Sequence, residues 1–157
     1  MFNLFKKKIY APVSGKSIAL GNVEDEVFSS LMMGDGIAID PTDDVIVAPC
    51  DCLVKLIMEG SNHALGLLMN NGVELLIHVG IDTVNLKGEG FEPLVKEGQK
   101  VKLGIPLLKF DKDYIVQKGY SPMIMLIITE ACGNKISKKY EDIDTQKSKT
   151  VLIELSK

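Results

Sequence analysis

Short aliphatic runs broken by Gly, Pro, Asn and Asp dominate this chain. Ile18-Ala19-Leu20 follows the polar turn "SGK", and "GDGIAI" reads as a turn and then a strand closed by Pro41. "VIVAP" and "LVKLIM" lie either side of the breaker Pro49, and "ALGLLM" runs into the hairpin-type signal Asn70-Asn71-Gly72, from which "VELLIHV" departs. "QKVKLG", "PLLKF", "MIMLIIT" and "TVLIEL" complete the set. Strands at this spacing predict an all-β protein, an antiparallel β-sandwich or barrel-sandwich. Helical periodicity is confined to "DEVFSSLMM", Asp25 to Met33, and to a turn or two in "DKDYIVQKG". The segments "APVSGKSIAL" and "APCDCLVKLI" share Ala-Pro, a polar turn and an aliphatic strand, which predicts a duplicated β unit.

The chain has two histidines, and one interrupts the run after the hairpin signal. Because side chains alternate along a strand, Val73, Leu75, Ile77 and Val79 share a core face, while Glu74, Leu76 and His78 share the other. His63 precedes the other arm. Antiparallel pairing about Asn70-Asn71-Gly72 sets His63 opposite His78 and the two imidazoles side by side. Spacing alone fits a satisfied histidine lying against a sheet as well as it fits a chemical site.

Several chemistries compete for two adjacent imidazoles. A structural metal site takes three or four ligands, and the local supply is His63, His78 and Asp82. "HVGID" is an H-x3-D element of the kind seen in zinc peptidases, but the second His-containing motif they need is missing. Phosphoryl transfer on an imidazole nitrogen is the third option: a neutral ring is a good nucleophile near neutral pH, and a second ring can hold the phosphoryl oxygens. No glycine-rich nucleotide loop accompanies them, so the donor would be another protein. A lipoyl- or biotin-type carrier lacks its lysine in Met-Lys-Met or Asp-Lys-Ala context.

Length and composition narrow the setting. A chain of 157 residues with 46% apolar and 25% charged residues is expected to form one domain with a substantial core. A net charge of −3 gives no pull toward nucleic acid. "MIMLII" is far shorter than the ~20 residues that span a bilayer, and "MFNLFKKKIY" lacks the order of a secretory signal. A cytoplasmic protein is expected, with residues 1–8 a short flexible extension, residues 9–157 the working domain, and Cys50, Cys52 and Cys132 as reduced thiols.

The ordered motifs "APVSGK", "VEDEVFSSLMMGDGIAI", "VAP", "NHA", "GVELLIHVGIDTVNLKGEGF" and "VKEGQKVKLG" resemble the glucose-type IIA component of the bacterial phosphoenolpyruvate-dependent sugar phosphotransferase system over nearly the whole chain. The resemblance implies a β-sandwich phosphotransferase component that carries a phosphohistidine intermediate. His78 is then the acceptor, His63 supports the phosphoryl group, and Ser61 supplies a hydroxyl beside them. Asp25 and Asp82 flank the site as acidic positions, and Phe28, Met32, Met33, Leu76 and Val84 form an apolar rim for partners. Those partners are the histidine-containing phosphocarrier protein and the IIB domain of a membrane sugar permease. Membrane contact comes only through the permease, and there is no nucleic acid. No cofactor is required, although a zinc ion shared by His63, His78 and a partner is compatible with the resemblance. The alternative within it is a regulatory module that binds and inhibits targets according to its phosphorylation state. One departure stands out: Cys52 occupies a turn position where the family has glycine, which predicts strain or a different turn.

Overall fold

The computed structural model describes residues 7–157, and its regular structure is mostly β-strand, with every strand pair antiparallel. The expected all-β class holds. Residues 1–6 of the predicted extension lie outside the described residues. Lys7 and Lys8 correct its boundary, because they open strand β1 (Lys7–Tyr10), which pairs with β14 (Val151–Ser156) and joins the two ends of the domain.

The eight-stranded sheet that carries the histidines runs in the order β13-β2-β3-β11-β7-β6-β5-β9. Its members are β2 (Gly15–Ala19), β3 (Asp35–Pro41), β5 (Cys52–Ile57), β6 (Ala64–Met69), β7 (Glu74–Val79), β9 (Lys100–Val101), β11 (Ile124–Glu130) and β13 (Asp144–Thr145). Two three-stranded sheets flank it. One is β1-β14-β12, with β12 at Lys135–Lys139; the other is β4-β10-β8, with β4 at Val45–Val47, β8 at Phe91–Pro93 and β10 at Pro106–Phe110. The inner faces meet in one main core that includes Ile37, Ile39, Leu65, Leu67, Leu75, Ile77, Leu108, Phe110, Leu126 and Ile153.

The duplicated unit is real in three dimensions. The strands that follow the two Ala-Pro pairs, β2 and β5, each lie second from an edge of the large sheet. The repeats bond reciprocally: Tyr10 N donates to Pro49 O and Val47 N to Pro12 O, both at 2.8 Å. Cys52 carries no strain, since it opens β5 opposite Met69 and Val101 and has no left-handed backbone. All three cysteines are free, Cys50 and Cys52 buried in the main core and Cys132 exposed.

Helix is scarcer than the sequence pattern predicts. The expected helix over Asp25–Met33 shrinks to α1 (Glu26–Ser29), capped by the Asp25 carboxylate on Val27 N at 2.9 Å. The chain leaves the helix through Leu31, whose φ of +63° is left-handed, so Met32 and Met33 lie beyond it. The second expected turn is α2 (Lys112–Gln117). Residues 20–34 cover the outer face of β3, β11 and β7, where Leu20, Val23, Phe28, Ala38, Met125 and Ile127 form a second, smaller core.

Candidate active site

β7 is central to the site because it has partners on both edges, β11 on one side and β6 on the other. Its alternation is as the sequence predicts: Val73, Leu75, Ile77 and Val79 are buried in the main core, while Leu76 and His78 face the second cluster and are only partly covered. Across the sheet, Ala38, Met125, His78 and Ala64 form one row on β3, β11, β7 and β6.

The histidines do meet, but not by the register expected. Ala64, not His63, is opposite His78, and His63 is opposite Val79, whose N–H donates to His63 O at 2.8 Å. The reason is the turn. Met69 and Val73 close it around Asn70-Asn71-Gly72, and its centre, Asn71, lies as far from Ala64 as from His78, so His63 falls one position beyond the pairing expected. Strict alternation would then send the His63 ring into the main core. His63 escapes this because it precedes β6, after Asn62 in the left-handed region, and because Ala64 leaves room beside His78. The ring centroids are 4.6 Å apart and nearly perpendicular, at 85°.

The environments of the two rings differ. His63 is 4% exposed while His78 is only partly covered, so of the two adjacent rings His78 is the more open to a visitor and His63 backs it. Buried Ser61 Oγ lies 2.7 Å from His63 Nδ1. His78 Nδ1 is 2.8 Å from Gly80 O. A carbonyl only accepts, so Nδ1 carries the proton and Nε2 keeps its lone pair. Burial, with the His63 ring pushing the same way, lowers His78 from 6.5 to about 4; the Gly80 carbonyl and the Asp25 charge oppose this more weakly. Burial also lowers His63. Both rings are therefore neutral near pH 7, which a nucleophilic imidazole requires.

The remaining predicted positions surround this pair unevenly. Phe28 is a wall rather than a rim, 5% exposed with its ring centroid 4.9 Å from that of His78. Met32 at 77% and Val84 at 51% stand clear of the surface, and Met33 is more covered. Asp25 is tied to its capping role, whereas Asp82 is exposed with a left-handed backbone at the start of the single turn Thr83–Leu86. Sequence reasoning missed Gly80 and Thr83, since a backbone carbonyl leaves no mark in the side-chain pattern. The glycine two places after His78 was the only available signal. It also missed Val27 and Leu31, which add apolar surface on the same covering segment. Among the described residues no group of three His, Cys, Asp or Glu side chains is placed to hold a metal ion.

Comparison with known proteins places the chain among the components of one transport system. The chain is 46% identical over 145 residues to the glucoside-specific EIICBA component of the phosphotransferase system (PTS) of Staphylococcus carnosus strain TM300, covering 92% of this chain and 21% of that protein. It thus spans about a fifth of that relative. It is 38% identical over 151 residues to the PTS glucose-specific EIIA component of Bacillus anthracis, covering 96% of this chain and 91% of that one. The solved glucose permease IIA of Mycoplasma capricolum superposes with a TM-score of 0.88 at 34% identity, with 98% of each chain covered. Residues 7–132 match the family described as phosphoenolpyruvate-dependent sugar phosphotransferase system, EIIA 1. With this match across most of its length, the chain belongs to that EIIA family.

Proposed function

We propose that this chain is a phosphoryl relay in sugar uptake, with His78 Nε2 as the acceptor atom. The observation that carries this reading is the His78 Nδ1–H bond to Gly80 O, which leaves the Nε2 lone pair free on a partly exposed ring. The lone pair attacks the phosphorus of a phosphohistidine on the histidine-containing phosphocarrier protein. The N–P bond to the donor breaks, and the donor ring leaves with that bonding pair. His78 keeps its Nδ1 proton on Gly80 O while it carries the phosphoryl group. A cysteine thiolate of a IIB domain then attacks the same phosphorus and His78 leaves, restored. His63, held by Ser61, donates to a phosphoryl oxygen and spreads the developing charge. Apolar side chains on the covering segment keep water from the N–P bond and give partners non-directional contact.

The sugar is read elsewhere in the pathway, because the relatives are named for both glucose and glucosides while sharing this domain. Among the described residues no helix is long and apolar enough to cross a membrane. We place the relay in the cytoplasm, in contact with the bilayer only through the permease.

The test is labelling from radioactive phosphoenolpyruvate through a reconstituted donor chain. His78→Gln should take no label, and His63→Gln should fold normally but pass phosphate about a hundredfold more slowly. Full labelling of His78→Gln with acid-labile phosphate would remove His78 as acceptor.

A further inference from the structure

We infer that Thr83 and the Ser121–Pro122 pair are positioning residues for His78, clamping two consecutive peptide units so that the Gly80 carbonyl selects the reactive tautomer. The inference deepens the acceptor reading above and rests on it. A trans peptide unit is planar, so fixing its N–H fixes the direction of its C=O. The unit between Val79 and Gly80 is held at both ends: Thr83 Oγ1 donates to Val79 O at 2.5 Å, and Gly80 N donates to Met123 O at 2.8 Å. The next unit, between Gly80 and Ile81, is held in the same way. Ile81 N donates to Ser121 O at 3.0 Å, and the opposite end of that plane is the carbonyl that receives His78 Nδ1–H at 2.8 Å.

Ser121 is held in turn. Its Oγ accepts from Met123 N at 3.2 Å, and Pro122 restricts the backbone of the residue before it to extended conformations. Thr83 is fully buried, so its hydroxyl has no water to turn to. The bend runs through Gly80 at φ +84°, where an added Cβ would lie 2.3 Å from Thr83 Cγ2 and 3.0 Å from Ser121 O. A segment some forty residues downstream thereby sets which nitrogen of His78 holds the proton. An unclamped neutral imidazole populates both tautomers, and only one of them leaves Nε2 nucleophilic.

The test reads the ring nitrogens of His78 by ¹⁵N NMR in the unphosphorylated full chain at pH 7, alongside phosphoryl transfer from the donor protein. The wild type should show the Nδ1–H tautomer alone. Thr83→Val should show a mixture and transfer about tenfold more slowly at unchanged KM for the donor, and Thr83→Ser should restore both. Pro122→Ala should show a mixture through the other clamp. The proposal is overturned by a wild-type ring spectrum in folded Thr83→Val, by one in Pro122→Ala should Thr83→Val not fold, or by a failure of Thr83→Ser to rescue. If the wild type takes no phosphate on His78, the acceptor reading falls while the ring spectra still decide the clamp.

Discussion

His78 shows how a single side chain is tuned by what surrounds it. An ordinary histidine is half protonated near pH 6.5, and a protonated ring has no lone pair to offer. Here burial and the neighbouring His63 ring both hold the ring neutral, burial most of all, against a weaker opposing pull from the Gly80 carbonyl and the Asp25 charge. An NMR titration of the free protein should therefore give His78 a midpoint near 4, with no inflection at 6.5. Stability follows the same proton. Below pH 6.5 the unfolded chain takes up a proton that folded His78 refuses, so acid favours unfolding. The contribution is intact above 6.5, fades as the pH falls through the window, and is gone below about 4. His78→Gln should flatten that slope in urea melts between pH 4.5 and 6.5. The nearness of His78 and His63 was legible in the sequence because alternation turned His78 away from the core and a hairpin signal stood between the two. The burial of His63 was not, since its placement follows from the left-handed Asn62 just before it, which no side-chain pattern announces.

At the scale of elements, two short pieces decide the shape of the site. α1 has only four residues, too few to be stable alone, and depends on its cap and on burial of Phe28. Asp25→Ala should cost about 1 kcal/mol in thermal unfolding. Asp25→Asn keeps an acceptor for Val27 N and should cost less. Both should lower the His78 midpoint further, because the lost carboxylate is one of the groups that raise it. The helical pattern of "DEVFSSLMM" overreached at Leu31. Apolar spacing cannot announce a left-handed exit, and that exit is what frees Met32 for solvent. The bend after β7 is the second piece. Gly80→Ala should destabilise the fold by roughly 1–3 kcal/mol or more, because its Cβ meets Thr83 and a backbone oxygen at a φ that L side chains avoid. The hairpin before β7 was legible as a turn at Asn70-Asn71-Gly72, and the one-place difference in register arises because His63 stands one residue farther from Asn71 than His78 does.

For the whole molecule, the sequence pattern located most strands but not the sheets they join. Pairing of β1 with β14 and of β2 with β13 links the two ends of the chain, and no local pattern encodes contacts so distant. The Ala-Pro repeat was the exception, a long-range relation visible in composition because each copy builds the same corner. Stability and partner contact should separate on this framework. Ile77→Ala, on the core side of β7, should cost about 2–5 kcal/mol in urea unfolding. Met32→Ser should stay within about 0.5 kcal/mol of wild type, yet raise KM for a protein donor. The acceptor ring rides on a strand laced along both edges, between β11 and β6. Such a platform has little freedom to bend when it gains a dianion. On the proposed relay, a donor and a recipient would meet the same contour in either state and tell the two apart by charge alone.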